Sequence, residues 1–142
     1  MQLTADSLQQ TDGGVRPDGA VISRFAGWQK AMHLCLLIYR LTQKFPQEEI
    51  YGLKSQLRRA AVSVPSNIAE GHGRASPGEF RRFLSIARGS VCEMQTQLAI
   101  AGEMGMGAQE KIKEADGISH EVGKMLHSLM QSLKDQTERT DG

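Results

Sequence analysis

Aromatic side chains make up only 5% of this 142-residue chain, and runs of β-branched residues are missing. A sandwich or barrel built from alternating β-branched and aromatic strands is therefore not expected. Two cysteines, Cys35 and Cys92, are too few for a disulfide scaffold. Both fall in apolar helical segments, where buried, reduced thiols are expected. The longest apolar run, Leu34–Tyr39, has six residues, far short of the ~20 that cross a bilayer. Met1–Asp6 offers neither the basic nor the apolar part of a secretory signal, so the cytoplasm is the expected address. Nor is there an excess of charge: 17 basic and 16 acidic side chains leave a net +1.

Catalytic signatures are equally sparse. Carboxylate-bridged metal bundles use Glu three residues before His, but Lys30, Ala69, Gly117 and Lys124 precede His33, His72, His120 and His127 at that spacing. His120 and His127 are seven apart and share a helix face, which reads as an ordinary pair rather than a metal site. Gly71–Arg74 reads as a helix stop and turn, since no phosphate-binding Gly-rich motif follows. No nucleophile elbow is present, and neither cysteine has a histidine and acid at a recognisable spacing. The sequence predicts no catalytic residue, no metal and no cofactor, and hence a protein that is not an enzyme.

What is present is helical periodicity. Residues 1–24 mix Gln, Asp, Gly and Pro without a repeat and read as a mobile tail. Trp28, Ala31, Cys35, Ile38, Thr42 and Phe45 then step by three and four, with Leu34, Leu37 and Leu41 as a second apolar row. A helix apolar on two faces is either central or touches another subunit. Pro46 ends it. Leu53, Leu57, Ala60, Ala61, Val64 and Ile68 fall within one arc of about 100° on a second helix. Beside them runs a polar row, Gln56, Arg59, Ser63, Asn67 and Glu70, suited to buried hydrogen bonding or an oligomer contact. Pro65 lies inside this helix and is expected to kink it; Gly71 and Gly73 are expected to stop it.

The third helix opens at Ser76-Pro77-Gly78-Glu79, a capping box with proline at the first helical position. It continues through Phe80, Leu84, Ala87, Val91, Met94, Leu98 and Ala101, and Gly89-Ser90 is expected to admit a close neighbour. Gly102, Gly105 and Gly107 mark a turn. The fourth helix is predicted over about 108–136 on Ala115, Ile118, Val122, Met125, Leu129 and Leu133, followed by a polar end over 137–142. Four such helices with short links predict an all-α, antiparallel up-down-up-down four-helix bundle over 25–136.

Charge is segregated along the chain. Residues 52–90 hold seven basic and two acidic side chains, residues 91–142 five and nine. Arg58, Arg74, Arg81, Arg82 and Arg88 are the candidate nucleic-acid contacts, because a guanidinium stays charged and donates a planar pair of hydrogen bonds to phosphate. Against this stands a solvated face of ion pairs with Glu70, Glu79 and Glu93. Arg59 and Glu70 suit a structural pair, and Arg74, Arg81 and Arg82 an outward patch.

Several stretches resemble one known family. They are Trp28-Gln29-Lys30-Ala31, Phe45-Pro46, Tyr51-Gly52-Leu53, Ser55 through Ser63, Pro65 through Gly71, Gly73-Arg74, Glu79-Phe80, Phe83-Leu84, Ile86-Ala87 and Gly89-Ser90. Over about 25–134 the chain resembles the bacterial four-helix bundle proteins encoded in intervening sequences of 23S rRNA genes. More distantly it is similar to the accessory variability protein of diversity-generating retroelements. The resemblance implies a homopentameric barrel and, from the basic retroelement relatives, nucleic-acid binding. This chain departs from those relatives in its near-neutral charge and acidic last third. Two functions are therefore weighed: a non-enzymatic oligomer that docks on RNA phosphate through its second and third helices, or a protein-interaction scaffold whose charged regions pair with each other. Expected partners are further copies of the chain and RNA or an RNA-binding protein, with no membrane.

Overall fold

A computed structural model describes residues 22–141. The predicted tail over 1–24 lies outside them except for a short 3-10 turn, Ile22–Arg24. Four helices follow: α1 (Ala26–Thr42), α2 (Leu53–His72), α3 (Pro77–Glu103) and α4 (Gln109–Asp141). Among the described residues there is no strand. Each helix packs on its neighbour in chain order, and α1 closes the ring against α4.

The pairings are antiparallel. Ser63 on α2 meets Ser90 on α3, and moving down α3 and up α4 matches Arg88 to His127 and Gln95 to His120. The predicted core positions of α1, α2 and α3 are all buried except Trp28, which packs partly buried against the core edge. Both apolar rows of α1 are covered within the chain: Leu34, Leu37 and Leu41 are as buried as Ala31 and Ile38. The doubly apolar character of α1 thus serves its own bundle.

Helix ends follow local chemistry. The Glu49 carboxylate accepts the Leu53 N–H at 2.8 Å and so caps α2 from the preceding turn. Ser76 Oγ accepts the Glu79 N–H at 3.1 Å at the start of α3. The other half of the predicted capping box is replaced, since the Glu79 carboxylate pairs with Arg82. At the end of α3, Met106 N–H donates to Ala101 O (2.9 Å) and Gly105 N–H to Gly102 O (3.2 Å). This is a Schellman motif, and Gly105 supplies its left-handed residue with φ 69°. Met106 folds back into the core while Met104 stays 66% exposed.

Four sequence expectations change. Gly71 does not stop α2; it lies buried in the last turn, where an added Cβ would stand 2.8 Å from Phe83 Cβ and 2.9 Å from Phe80 Cδ1. Gly89, by contrast, faces open space, and the close α2–α3 approach runs through the Ser63–Ser90 hydroxyl contact of 2.8 Å. The α4 core matches the prediction at Ala115, Val122 and Leu133 but departs from it elsewhere: Ser119 and Leu126 are buried where Ile118, Met125 and Leu129 are only partly so. Ser119 Oγ donates to Asp116 O at 2.6 Å, so a polar residue occupies a core position without an unmet hydrogen bond. Finally, α4 continues as helix to Asp141, through most of the predicted polar end.

Candidate nucleic-acid interface

The five arginines singled out from the sequence do not form a single patch. Arg58 clamps α2 to the end of α1. Its Nε donates to Thr42 Oγ1 at 2.8 Å, a terminal nitrogen donates to Tyr39 O at 3.1 Å, and its guanidinium lies 4.5 Å over the Tyr39 ring. Thr42 Oγ1 in turn donates to Ile38 O at 2.7 Å. Arg58 is therefore a structural residue rather than a free phosphate ligand.

Arg74 and Arg82 meet at the α2–α3 turn. Both stack on Phe83, at 5.0 and 4.7 Å from its centroid. Each also holds a carboxylate of its own: Arg74 with Glu70 at 2.6 Å, Arg82 with Glu79 at 3.3 Å. Glu70 is thus paired with Arg74, in the turn just past the end of its helix, rather than with Arg59. These pairs are largely solvent-exposed and worth little to stability, so phosphate can compete for the arginines. Arg81 is half-buried, and its Nε has no hydrogen-bond partner.

Within the polar row of α2, Ser63 and Asn67 are joined. Asn67 Nδ2 donates to Ser63 O at 2.8 Å and to Ser63 Oγ at 2.9 Å, and Ser90 adds the contact from α3. The row's middle therefore seals the α2–α3 seam. Gln56, Arg59 and Glu70 remain exposed.

Arg88 leads to a feature the sequence reading missed. It reaches His127 Nδ1 on α4 at 3.4 Å, and two turns of α3 away Gln95 Nε2 reaches His120 Nδ1 at the same distance. Between these two pairs lies an open cleft of about 520 Å³, with Val91, Cys92 and Gly123 at its floor and Lys124 and Ser128 on its α4 side. At the Arg88 end of the cleft, residues 80–92 of α3 and 122–134 of α4 include no acidic residue; Glu93 and Glu121 lie just beyond, toward the Gln95–His120 end. Of the last third's acids, Glu93 and Glu103 lie on α3 and the rest on α4, where Glu121 points to α1 and pairs with Lys30. That pairing holds the Glu121 carboxyl below the usual glutamate range. A sum over residues 91–142 hid the basic stretch; reading α4 at helical spacing over His120, Lys124 and His127 could have found it.

The cysteines differ. Cys35 is buried, and desolvation raises its thiol pKa; Cys92 is exposed at the cleft floor, against expectation, and both are free. A second open groove, of about 460 Å³, runs between α1 and α2 and is lined by Trp28, Met32, Leu36, Tyr39, Val62 and Pro65. Among the described residues, no three His, Cys, Asp or Glu side chains stand together as a metal set, and no helix is long and apolar enough to cross a membrane.

Among the described residues, the fold and these surfaces define a class: an all-α four-helix bundle with a cleft rich in basic side chains between α3 and α4 and an apolar groove between α1 and α2. Residues 24–128 match the family described as 23S rRNA-intervening sequence protein, and the chain belongs to that family. A crystal structure of a protein of unknown function from the S23 ribosomal protein family of Bacteroides thetaiotaomicron is similar to it. The TM-score is 0.69 at 21% identity, covering 74% of this chain and 98% of that one. At that identity the likeness speaks for the fold alone. No curated protein matches the chain.

Proposed function

We propose that this protein is a non-enzymatic, cytoplasmic bundle that self-associates and docks on RNA through phosphate contacts. The observation that carries the reading is the basic edge: Arg88, Lys124 and His127 come together from two adjacent helices, with Arg81 and Arg82 further along α3. Its mechanism is electrostatic. Guanidinium and ammonium groups displace counterions from the phosphate backbone, and the scarcity of exposed aromatics leaves little means of stacking on bases. Arg58, which the sequence placed among the contacts, has no part in it.

Self-association belongs to the α1–α2 groove, whose apolar walls of Trp28, Met32, Leu36 and Tyr39 stay partly exposed. The pentamer implied by the family resemblance is the assembly we expect there. A protein-interaction scaffold is the second reading, favoured by one observation: Arg74 and Arg82 already hold carboxylates and a shared ring within the chain.

Binding of the full chain to a structured RNA across a salt series separates the two, with native mass recorded on the same sample. The RNA reading expects affinity to fall steeply with salt, and Arg82→Glu to weaken binding while leaving the mass unchanged. No binding at low salt by an intact oligomer would sink it and leave the scaffold.

A further inference from the structure

We propose that the α3–α4 cleft is a phosphate-binding pocket in which Arg88, Lys124 and His127 hold a single phosphate group. This deepens the RNA reading and rests on it only for the source of the phosphate. The tautomer of His127 follows from its partner. A guanidinium donates and cannot accept, so the 3.4 Å contact from Arg88 makes His127 Nδ1 the acceptor and leaves the proton on Nε2. Each polar group at this end of the cleft can then donate: the Arg88 guanidinium, the Lys124 ammonium, His127 Nε2–H and the Ser128 hydroxyl, which can also accept.

A set in which every group can donate suits an anion that only accepts. At the far end, His120 Nδ1 receives Gln95 and its Nε2 faces Asp116 Oδ2 at 3.5 Å. Asp116 is thus engaged by His120, about two turns away from Lys124. Glu121, the acid nearest in sequence to the basic stretch, is drawn off by Lys30. Gly123 places no side chain on the floor, and the space of about 520 Å³ admits a phosphate with its attached sugar. The chemistry recognised is a phosphate oxyanion, either the terminal monoester or an internal diester of an RNA strand.

Cys92 on the cleft floor gives the assay, with buried Cys35 as an internal check that the chain stays folded. Alkylation of Cys92 is followed in the full-length protein during titration with inorganic phosphate, then with a ten-nucleotide RNA bearing a 5′-phosphate or a 5′-hydroxyl. Saturable protection by inorganic phosphate is expected. Arg88→Ala and Lys124→Ala, both at exposed positions and checked for helical content, should each weaken it by about tenfold. Tighter binding of the 5′-phosphorylated strand would identify a terminal monoester as the source, and equal binding an internal diester. Unchanged alkylation at millimolar phosphate, or protection indifferent to Arg88→Ala, would overturn the pocket even if RNA binds with a normal salt slope. Phosphate protection without any RNA binding would keep the pocket and dismiss the RNA reading. Stronger protection by an acidic peptide than by phosphate would refute the assignment.

Discussion

Replacing Gly71 and Gly89 by alanine, one at a time, should move stability in opposite directions. Both residues lie inside helices, so helix propensity alone favours alanine at each by about 1 kcal/mol. At Gly89 nothing lies within 4 Å of the added methyl, and that gain should appear nearly whole. At Gly71 the methyl would stand 2.8 Å from Phe83 Cβ, 2.9 Å from Phe80 Cδ1 and 3.2 Å from Phe80 O. A Cβ and a carbonyl oxygen belong to or adjoin the backbone and cannot swing aside. Relief therefore requires α2 and α3 to separate, and overpacking of this kind costs about 1–3 kcal/mol. With two contacts below 3.0 Å the upper part of that range applies, so the net loss at Gly71 is about 1–2 kcal/mol. The two variants should differ by about 2–3 kcal/mol. Urea unfolding followed by circular dichroism reads this directly, at one protein concentration because association adds to apparent stability. If Gly71→Ala gains as much as Gly89→Ala, the close crossing at the α2–α3 turn is wrong.

Arg58→Ala should lower stability by about 1–2 kcal/mol through loss of the Thr42 and Tyr39 contacts, while the salt slope of RNA binding stays unchanged; a shallower slope would return Arg58 to the interface. In the native protein a thiol reagent should modify Cys92 readily and Cys35 only on unfolding, and mass spectrometry of the labelled peptides would show the reverse if the exposures are misassigned. The Lys30–Glu121 pair holds the folded-state pKa of Glu121 below its unfolded value, so its contribution is present above the usual glutamate range and lost as pH falls through the folded pKa. The stability gap between the wild type and Glu121→Gln should accordingly close in strongly acidic solution and narrow in high salt; a gap that widens with acid would contradict the pairing. Gly105→Ala forces a side chain into the left-handed conformation that ends α3 and should cost about 1–2 kcal/mol in the same urea assay.

Much of the fold was legible because three helices carry unbroken apolar repeats at core positions. Where reading failed, the cause was specific. On α4 the core passes through Ser119, whose hydroxyl bonds to its own helix, and a search for apolar residues alone slid onto Ile118. Gly71 and Gly89 were exchanged in role because a glycine near a helix end suggests a stop, whereas the crossing distance that decides its use depends on the facing helix. The arginines were visible as a group, but their partners come from Tyr39, Thr42, Phe83 and His127, which only folding brings near. The basic stretch of α4 was masked by averaging its charge with acids on the helix's other faces and ends.

The contrast between the two thiols gives the molecule a ruler. One reactive sulfur per chain, at a fixed point on the α3–α4 face, accepts a spin label without any substitution. In a closed ring, identical labels stand at the corners of a regular polygon. A pair of subunits gives one separation; five give two, in the ratio of the side of a pentagon to its diagonal. The pattern of distances between labels on Cys92 would thus count the subunits independently of mass.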